Sequence, residues 1–175
     1  MERREETKIQ FYKVSKELFC NDFQKNFPNY QENQIFHIYN NICLPKRATK
    51  ASAGYDIYSP IDFVLKPKES IVIPTSIRVL MPVDIVFLIF PRSSLGFKYK
   101  LQLDNTVGVI DSDYYYSDNE GHIFVKITNN SNDSIVNIKE NFAFAQGIFI
   151  KYYTTIDDKT TNIRNGGLGS TNENK

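Results

Sequence analysis

The sequence predicts an all-β domain of the sandwich, barrel or jelly-roll type. A short mixed segment precedes it and a glycine-rich tail follows. Three observations carry this prediction. From Ile42 onward, apolar runs of about four to six residues, rich in β-branched side chains, alternate with turn residues. Prolines at 45, 60, 67, 74, 82 and 91 punctuate those runs, and proline fits neither a helix interior nor a central strand. At 122–128, Ile123, Val125 and Ile127 alternate with Phe124, Lys126 and Thr128, the period of a strand with one dry face.

Taken in order, 10–14 reads as a first strand. A short helix is expected at 17–25, with Leu18, Phe19, Asp22 and Phe23 on roughly one face and Pro28 ending it. Residues 1–41 hold no motif and are expected to form an elaboration packed on the core. Strands follow at 55–58, 61–65, 71–73, 77–80 and 85–90, while 95–103 is ambiguous between helix and strand. A hairpin tip is expected at 112–121, and further strands at 122–128, 134–138 and 142–153. The body of the fold is thus 42–157. Glycine and small polar residues dominate 158–175, which reads as a flexible tail.

With 175 residues, the chain suits one domain around a single core. Twenty-one basic against 20 acidic residues leave a net charge of +1, so no global field favours nucleic acid. The N-terminus is highly charged, unlike a signal peptide, and no apolar run could span a bilayer. A soluble, cytoplasmic protein is the expectation. Cys20 and Cys43 match no metal or redox spacing and read as buried or half-buried free thiols. His37 and His122 are isolated, which argues against a histidine-based metal site.

Five clusters could carry chemistry. Ala53, Gly54, Tyr55 and Asp56 read either as a capped turn into a strand or as a source of a metal carboxylate. Pro91, Arg92, Ser93, Ser94, Leu95 and Gly96 put a guanidinium and two hydroxyls at a strand end. Arginine forks onto phosphate oxygens, although either serine could equally start a short helix. The third cluster is Gly108, Val109, Ile110, Asp111, Ser112, Asp113 and Tyr114, with Asn105 upstream. An asparagine amide matches the edge of a nucleobase, and Asp111 is a candidate base on water. Ordinary aspartates ionise near ~3.9, so such a base needs a well-placed water and a polarised electrophile. A polar hairpin turn is the structural alternative. Ala145, Gln146 and Gly147 place an amide inside an apolar strand, as a core amide or a ligand contact. Arg164, Asn165, Gly166, Gly167, Leu168, Gly169, Ser170 and Thr171 could bring backbone N–H groups to an anion, or form a loose end. Together the clusters offer a base edge, a water-activating carboxylate, phosphate ligands and a metal carboxylate. That inventory describes Mg²⁺-assisted hydrolysis of a nucleoside polyphosphate.

In this order the five clusters resemble the five motifs of the trimeric dUTPases, over about 42–171. The resemblance implies a homotrimer of jelly-roll-like subunits with shared active sites. It implies conversion of dUTP and water to dUMP and pyrophosphate by attack on the α-phosphorus. That reaction would lower dUTP and supply dUMP for thymidylate synthesis. Asp111 then looks like the carboxylate that activates water. Tyr114 resembles the ring under deoxyribose that excludes a 2′-hydroxyl. Asn105, with backbone groups around Gly108, Val109, Ile110 and Phe124, looks like the uracil reader. Arg92, Ser93, Ser94 and Gln146 resemble the phosphate and metal-water ligands, and Asp56 the aspartate acting near Mg²⁺ through water. Arg164, Leu168, Gly169, Ser170 and Thr171 would close over the nucleotide.

Three positions depart from the family pattern. Ala143 stands where an arginine is usual, Leu168 replaces the aromatic that stacks on uracil, and 112–121 is longer than the common form. They imply a working enzyme with weakened closure over the nucleotide. Two rival readings remain at the sequence level: a dCTP deaminase of the same superfamily, and a nucleotide-gated regulatory protein on this scaffold. No glutamate is convincingly placed as a deamination base. A β-sandwich without a site is the bland alternative.

Overall fold

The computed structural model describes residues 8–164 and Gly166. The chain opens with β1 (Gln10–Lys13), α1 (Lys16–Asn26) and α2 (Glu32–Asn41). Short strands follow: β2 (Lys46–Arg47), β3 (Tyr55–Tyr58), β4 (Phe63–Leu65), β5 (Ser70–Pro74), β6 (Ile77–Leu80) and β7 (Ile85–Pro91). Then come α3 (Ser93–Tyr99), β8 (Leu101–Leu103), β9 (Gly108–Ile110) and a 3-10 turn (Ser112–Tyr116). β10 (Phe124–Asn129), β11 (Val136–Ile138) and β12 (Ala143–Lys151) complete the order.

The largest sheet has the order β2-β3-β12-β7-β9, and β5-β10-β8 form a second. Two pairs, β1-β6 and β11-β4, complete the set, and no closed barrel forms among the described residues. The expected β fold is present in its sandwich-like form. Alternation decides which face is dry: Val125 and Ile127 on β10, like Phe87 and Ile89 on β7, are buried. They join Ile57, Ile73, Ile77, Leu101 and Phe144 in one core.

The N-terminal segment holds one element with a weak sequence signal. α1 begins at Ser15, whose hydroxyl accepts from the Leu18 N–H at 3.3 Å. α2 is built from indifferent helix formers, and only Ile35 and Ile38 are buried along it. Packing stabilises it instead: both isoleucines enter a second cluster with Val14, Phe19, Phe23 and Ile61. β1 pairs antiparallel with β6, Phe11 opposite Val79. The ambiguous 95–103 stretch divides into α3 and β8. The expected hairpin tip is a 3-10 turn followed by a tight turn. Gly121 closes that turn at φ +69°, where an added Cβ would lie 2.7 Å from the Tyr114 carbonyl oxygen. No helix among the described residues is long and apolar enough to cross a membrane.

Two carboxylates tie α1 to the 112–122 loop. Asp22 Oδ2 lies 2.8 Å from His122 Nδ1, and Glu120 accepts from the Ser15 N–H and hydroxyl at 2.7 and 2.5 Å. Burial raises both carboxyls, but contacts with His122 and Lys25 at Asp22, and with Ser15 and Arg78 at Glu120, outweigh it and hold both below the usual range. A lowered folded value means the stabilisation is complete above the ordinary carboxylate range near ~4 and is lost as pH falls through the folded values. The melting temperature is therefore expected to drop as pH falls from about 5 to about 3, and less steeply in Asp22→Asn. Equal slopes in the two proteins would contradict this.

Candidate active site

Three clusters converge at one end of the β3-β12-β7 sheet. Antiparallel register sets Gln146 of β12 opposite Asp56 on β3 and Phe90 on β7. Arg92 leaves β7 immediately afterwards and turns its guanidinium back onto Asp56, Nη1 to Oδ2 at 2.6 Å. The pair is partly sheltered, so it is stronger than an exposed one. Gln146 donates weakly from Nε2 to the Pro91 carbonyl at 3.4 Å. Its Oε1 faces Gly54, where a Cβ would come within 2.8 Å. Ser93 and Ser94 start α3 with exposed side chains, Arg92 being the N-cap. Pro91, Arg92, Ser93, Gly96 and Phe97 line an open cavity of about 330 Å³.

Asp56 is the carboxylate of this cluster, and it is engaged by Arg92 rather than free. Among the described residues no group of three His, Cys, Asp or Glu side chains could hold a metal ion. The donor set fits Mg²⁺, which keeps several waters and takes one or two carboxylates plus substrate phosphates. A fully protein-ligated ion does not fit.

The other candidates lie elsewhere. β9 pairs with β7 so that Ile110 faces Phe87 and Gly108 faces Ile89. Asp111 therefore leaves the sheet beyond Phe87, whereas Arg92 follows five residues later along β7. At ~3.3 Å per residue, their exits from the sheet are roughly 16 Å apart along β7. Asp111 and Asp113 flank the start of the 3-10 turn, and Tyr114 turns inward and is buried. Arg164 from the tail bonds Asp111 through Nη2 and approaches Asp113 through Nε at 3.1 Å. Its guanidinium lies 5.7 Å from the Tyr114 ring centroid. Clusters three and five thus meet each other, and not clusters one, two and four.

Asn105 sits in the exposed turn between β8 and β9, and Val109 is exposed on β9. Gly108 packs its backbone closely on Ile89. Phe124 opens β10 beside the His122 ring, with centroids 4.4 Å apart. Ala143 begins β12 at a register irregularity opposite Tyr58. Leu168, Gly169, Ser170 and Thr171 lie outside the described residues.

Two residues without a motif signal enter the site. His122, which reads as isolated in the sequence, is fully buried and bonded to Asp22. Asn119 donates from Nδ2 to the Tyr114 hydroxyl at 2.7 Å. Nothing in α1 around Asp22 marks this contact, since its partner is a hundred residues away.

Comparison with known proteins agrees with the motif order. A family model for dUTPase matches residues 40–172. A deoxyuridine 5'-triphosphate nucleotidohydrolase of Lactococcus lactis is 39% identical over 133 residues, covering 74% of this chain and 88% of that protein. One from Dictyoglomus turgidum is 39% identical over 137 residues, covering 73% and 89%. The dUTPase of Streptococcus mutans shares the fold with a TM-score of 0.60 at 30% identity, over 83% of this chain and 97% of the other. The dUTPase from phage phi11 of S. aureus, in which a structural Mg(II) ion is coordinated, matches at 0.61 and 23% over 89% and 97%. By this match in sequence and fold, the chain belongs to the dUTPase family.

Proposed function

We propose that this protein hydrolyses dUTP to dUMP and pyrophosphate, with each active site assembled from more than one subunit of a homotrimer. The observation that carries the reading is the Asp111–Tyr114 corner, a carboxylate at a strand end beside a buried ring. Asp111 would orient a water on the α-phosphorus and accept its proton. The bond to the pyrophosphate oxygen breaks, and pyrophosphate leaves. The Tyr114 ring would lie under the deoxyribose and leave no space for a 2′-hydroxyl. Asn105 and the backbone of Gly108, Val109, Ile110 and Phe124 would read uracil, since an amino group in place of its carbonyl would set donor against donor.

Arg92, Ser93, Ser94 and Gln146 would bind phosphates, with Asp56 meeting the metal through water. Mg²⁺, when bound, neutralises phosphate charge and polarises the electrophile. Arg164 would exchange Asp111 for phosphate oxygens as the tail residues Leu168, Gly169, Ser170 and Thr171 close on the nucleotide. The product would lower dUTP and supply dUMP for thymidylate synthesis. The N-terminal 1–41, the body 42–157 and the tail 158–175 would act as elaboration, site scaffold and closing arm.

The separation of Asp111 from Arg92 along β7 supports a shared site, because the two residues leave the sheet at opposite ends of that strand. Mixing Arg92→Ala with Asp111→Asn chains tests this. In randomly assorted 1:1 trimers about a quarter of the sites would draw both native residues from different chains. Each variant alone is expected to be nearly inactive and the mixture to recover about that fraction. A mixture as inactive as its components sinks the shared site. Incubation with Mg²⁺ and dUTP, dCTP, dTTP or UTP tests the reaction. Pyrophosphate from dUTP alone supports hydrolysis, ammonia from dCTP supports a deaminase, and tight dUTP binding without turnover supports a regulator.

A further inference from the structure

The Tyr114 hydroxyl is held at a fixed point. It donates to the His122 carbonyl at 2.7 Å and accepts from Asn119 Nδ2 at 2.7 Å. A ring pinned at both its Cβ and its hydroxyl has little freedom to tilt. One partner, His122, is in turn fixed by α1, and the other, Asn119, adjoins Glu120, which α1 also holds. The His122 imidazole accepts the Ser76 backbone N–H at Nε2, at 2.9 Å. A backbone N–H only donates, so Nε2 is the bare nitrogen and Nδ1 carries the proton. That proton goes to Asp22 Oδ2, on α1, at 2.8 Å. The side chain of His122 is wholly enclosed, so an Nδ1–H without an acceptor would stay unsatisfied.

The second attachment lies on the other side of Asn119's turn. Glu120 caps the start of α1 through the Ser15 N–H and hydroxyl. Its charge sits at the positive end of the helix. Asn119 itself accepts the Gly121 N–H at 3.2 Å, and its backbone carbonyl accepts the His122 N–H at 3.0 Å. Two residues of this loop, Glu120 and His122, are thus held by α1, and Asn119 adjoins the first. A tie serving stability alone could end anywhere on the loop. This one ends on the residue whose carbonyl holds the Tyr114 hydroxyl.

We propose that Asp22, His122 and Asn119 are positioning residues for the Tyr114 ring, and that α1 thereby sets discrimination between 2′-deoxy and 2′-hydroxy nucleotides. The inference rests on the reading of Tyr114 given under the proposed function. Displacing a positioned group by about 1 Å is enough to change rates strongly. The same displacement of the ring would open space at the 2′ carbon.

The test compares kcat/KM for dUTP and UTP, with the melting temperature, in full-length Asp22→Ala, Asp22→Asn and Asn119→Ala. Asp22→Ala removes the acceptor, and the dUTP:UTP ratio is expected to fall about tenfold. Asp22→Asn retains an oxygen for Nδ1–H and is expected to restore the ratio to within about twofold. Asn119→Ala, at a half-buried position that leaves both helix attachments in place, is expected to lower the ratio as well. If Asp22→Ala does not fold, an unchanged ratio in Asn119→Ala still overturns the inference, because the anchor of the ring would then not set discrimination. Lower melting temperatures with an unchanged ratio overturn the inference. Wild-type protein that does not turn over dUTP overturns the reading of the site and this inference with it.

Discussion

Replacing Asp111 with asparagine is expected to lower dUTP turnover by about 10³-fold while leaving nucleotide binding within a few-fold. The amide keeps the shape and hydrogen-bonding reach of the carboxylate but cannot accept the proton of the attacking water. Asp111 stands at the end of β9, beside the buried Tyr114, so the substitution disturbs no core packing. Arg164 loses one partner and retains Asp113 at 3.1 Å. With less negative charge competing for the guanidinium, a non-hydrolysable dUTP analogue should bind as well as before or slightly tighter. Pyrophosphate release and calorimetric titration separate the two effects. Turnover above about a tenth of wild type would remove Asp111 from the catalytic role.

Gly147→Ala is expected to be the most destabilising small substitution in the described chain. Gly147 is buried in β12, between Tyr55 of β3 and Ile89 of β7. A Cβ there would lie 2.0 Å from Phe87 Cζ and 2.4 Å from Cε2. Phe87 cannot yield easily. It is fully buried, with Phe149 at 4.7 Å and Phe11 at 5.4 Å between ring centroids. Overpacking of this severity costs about 3 kcal/mol. At this chain length that lowers the melting temperature by roughly 6 to 12 °C. The neighbouring Gln146 and its register with Asp56 would shift too, so activity should fall along with stability. A Phe87→Leu change in the same chain should recover part of the loss, because it vacates the space the methyl needs. An unchanged melting temperature in the single variant would show that the sheet can open there.

The strands were legible because their signal is local. Ile123, Val125 and Ile127 alternate on a two-residue period, and prolines mark where the runs stop. The five clusters were legible as ordered motifs for a related reason: Arg92 and Asp111 each follow a strand end and Gln146 interrupts an apolar strand, so short sequence context marks them. α2 was not legible, because its helical state depends on Ile35 and Ile38 meeting Phe19 and Phe23, and a weak helix former carries no local mark of a distant partner. The contact of His122 was not legible for the same reason. Its separation from other histidines in sequence says nothing about the Asp22 carboxylate that meets it in space.

By itself, then, the sequence determined the β class of the fold and the identity and order of the five clusters. Hydrophobic period, proline placement and short motifs are properties of neighbouring residues. Only the tertiary structure decided how those clusters divide. Antiparallel register carries Asp56, Arg92 and Gln146 to one end of β7 and Asp111 to the other. Asp111 and Asp113 together anchor Arg164. Tyr114 is fixed by a helix from the opposite end of the chain. Pairing between strands and the burial of an imidazole are long-range outcomes, set by which surfaces exclude water together, and no short stretch of residues encodes them.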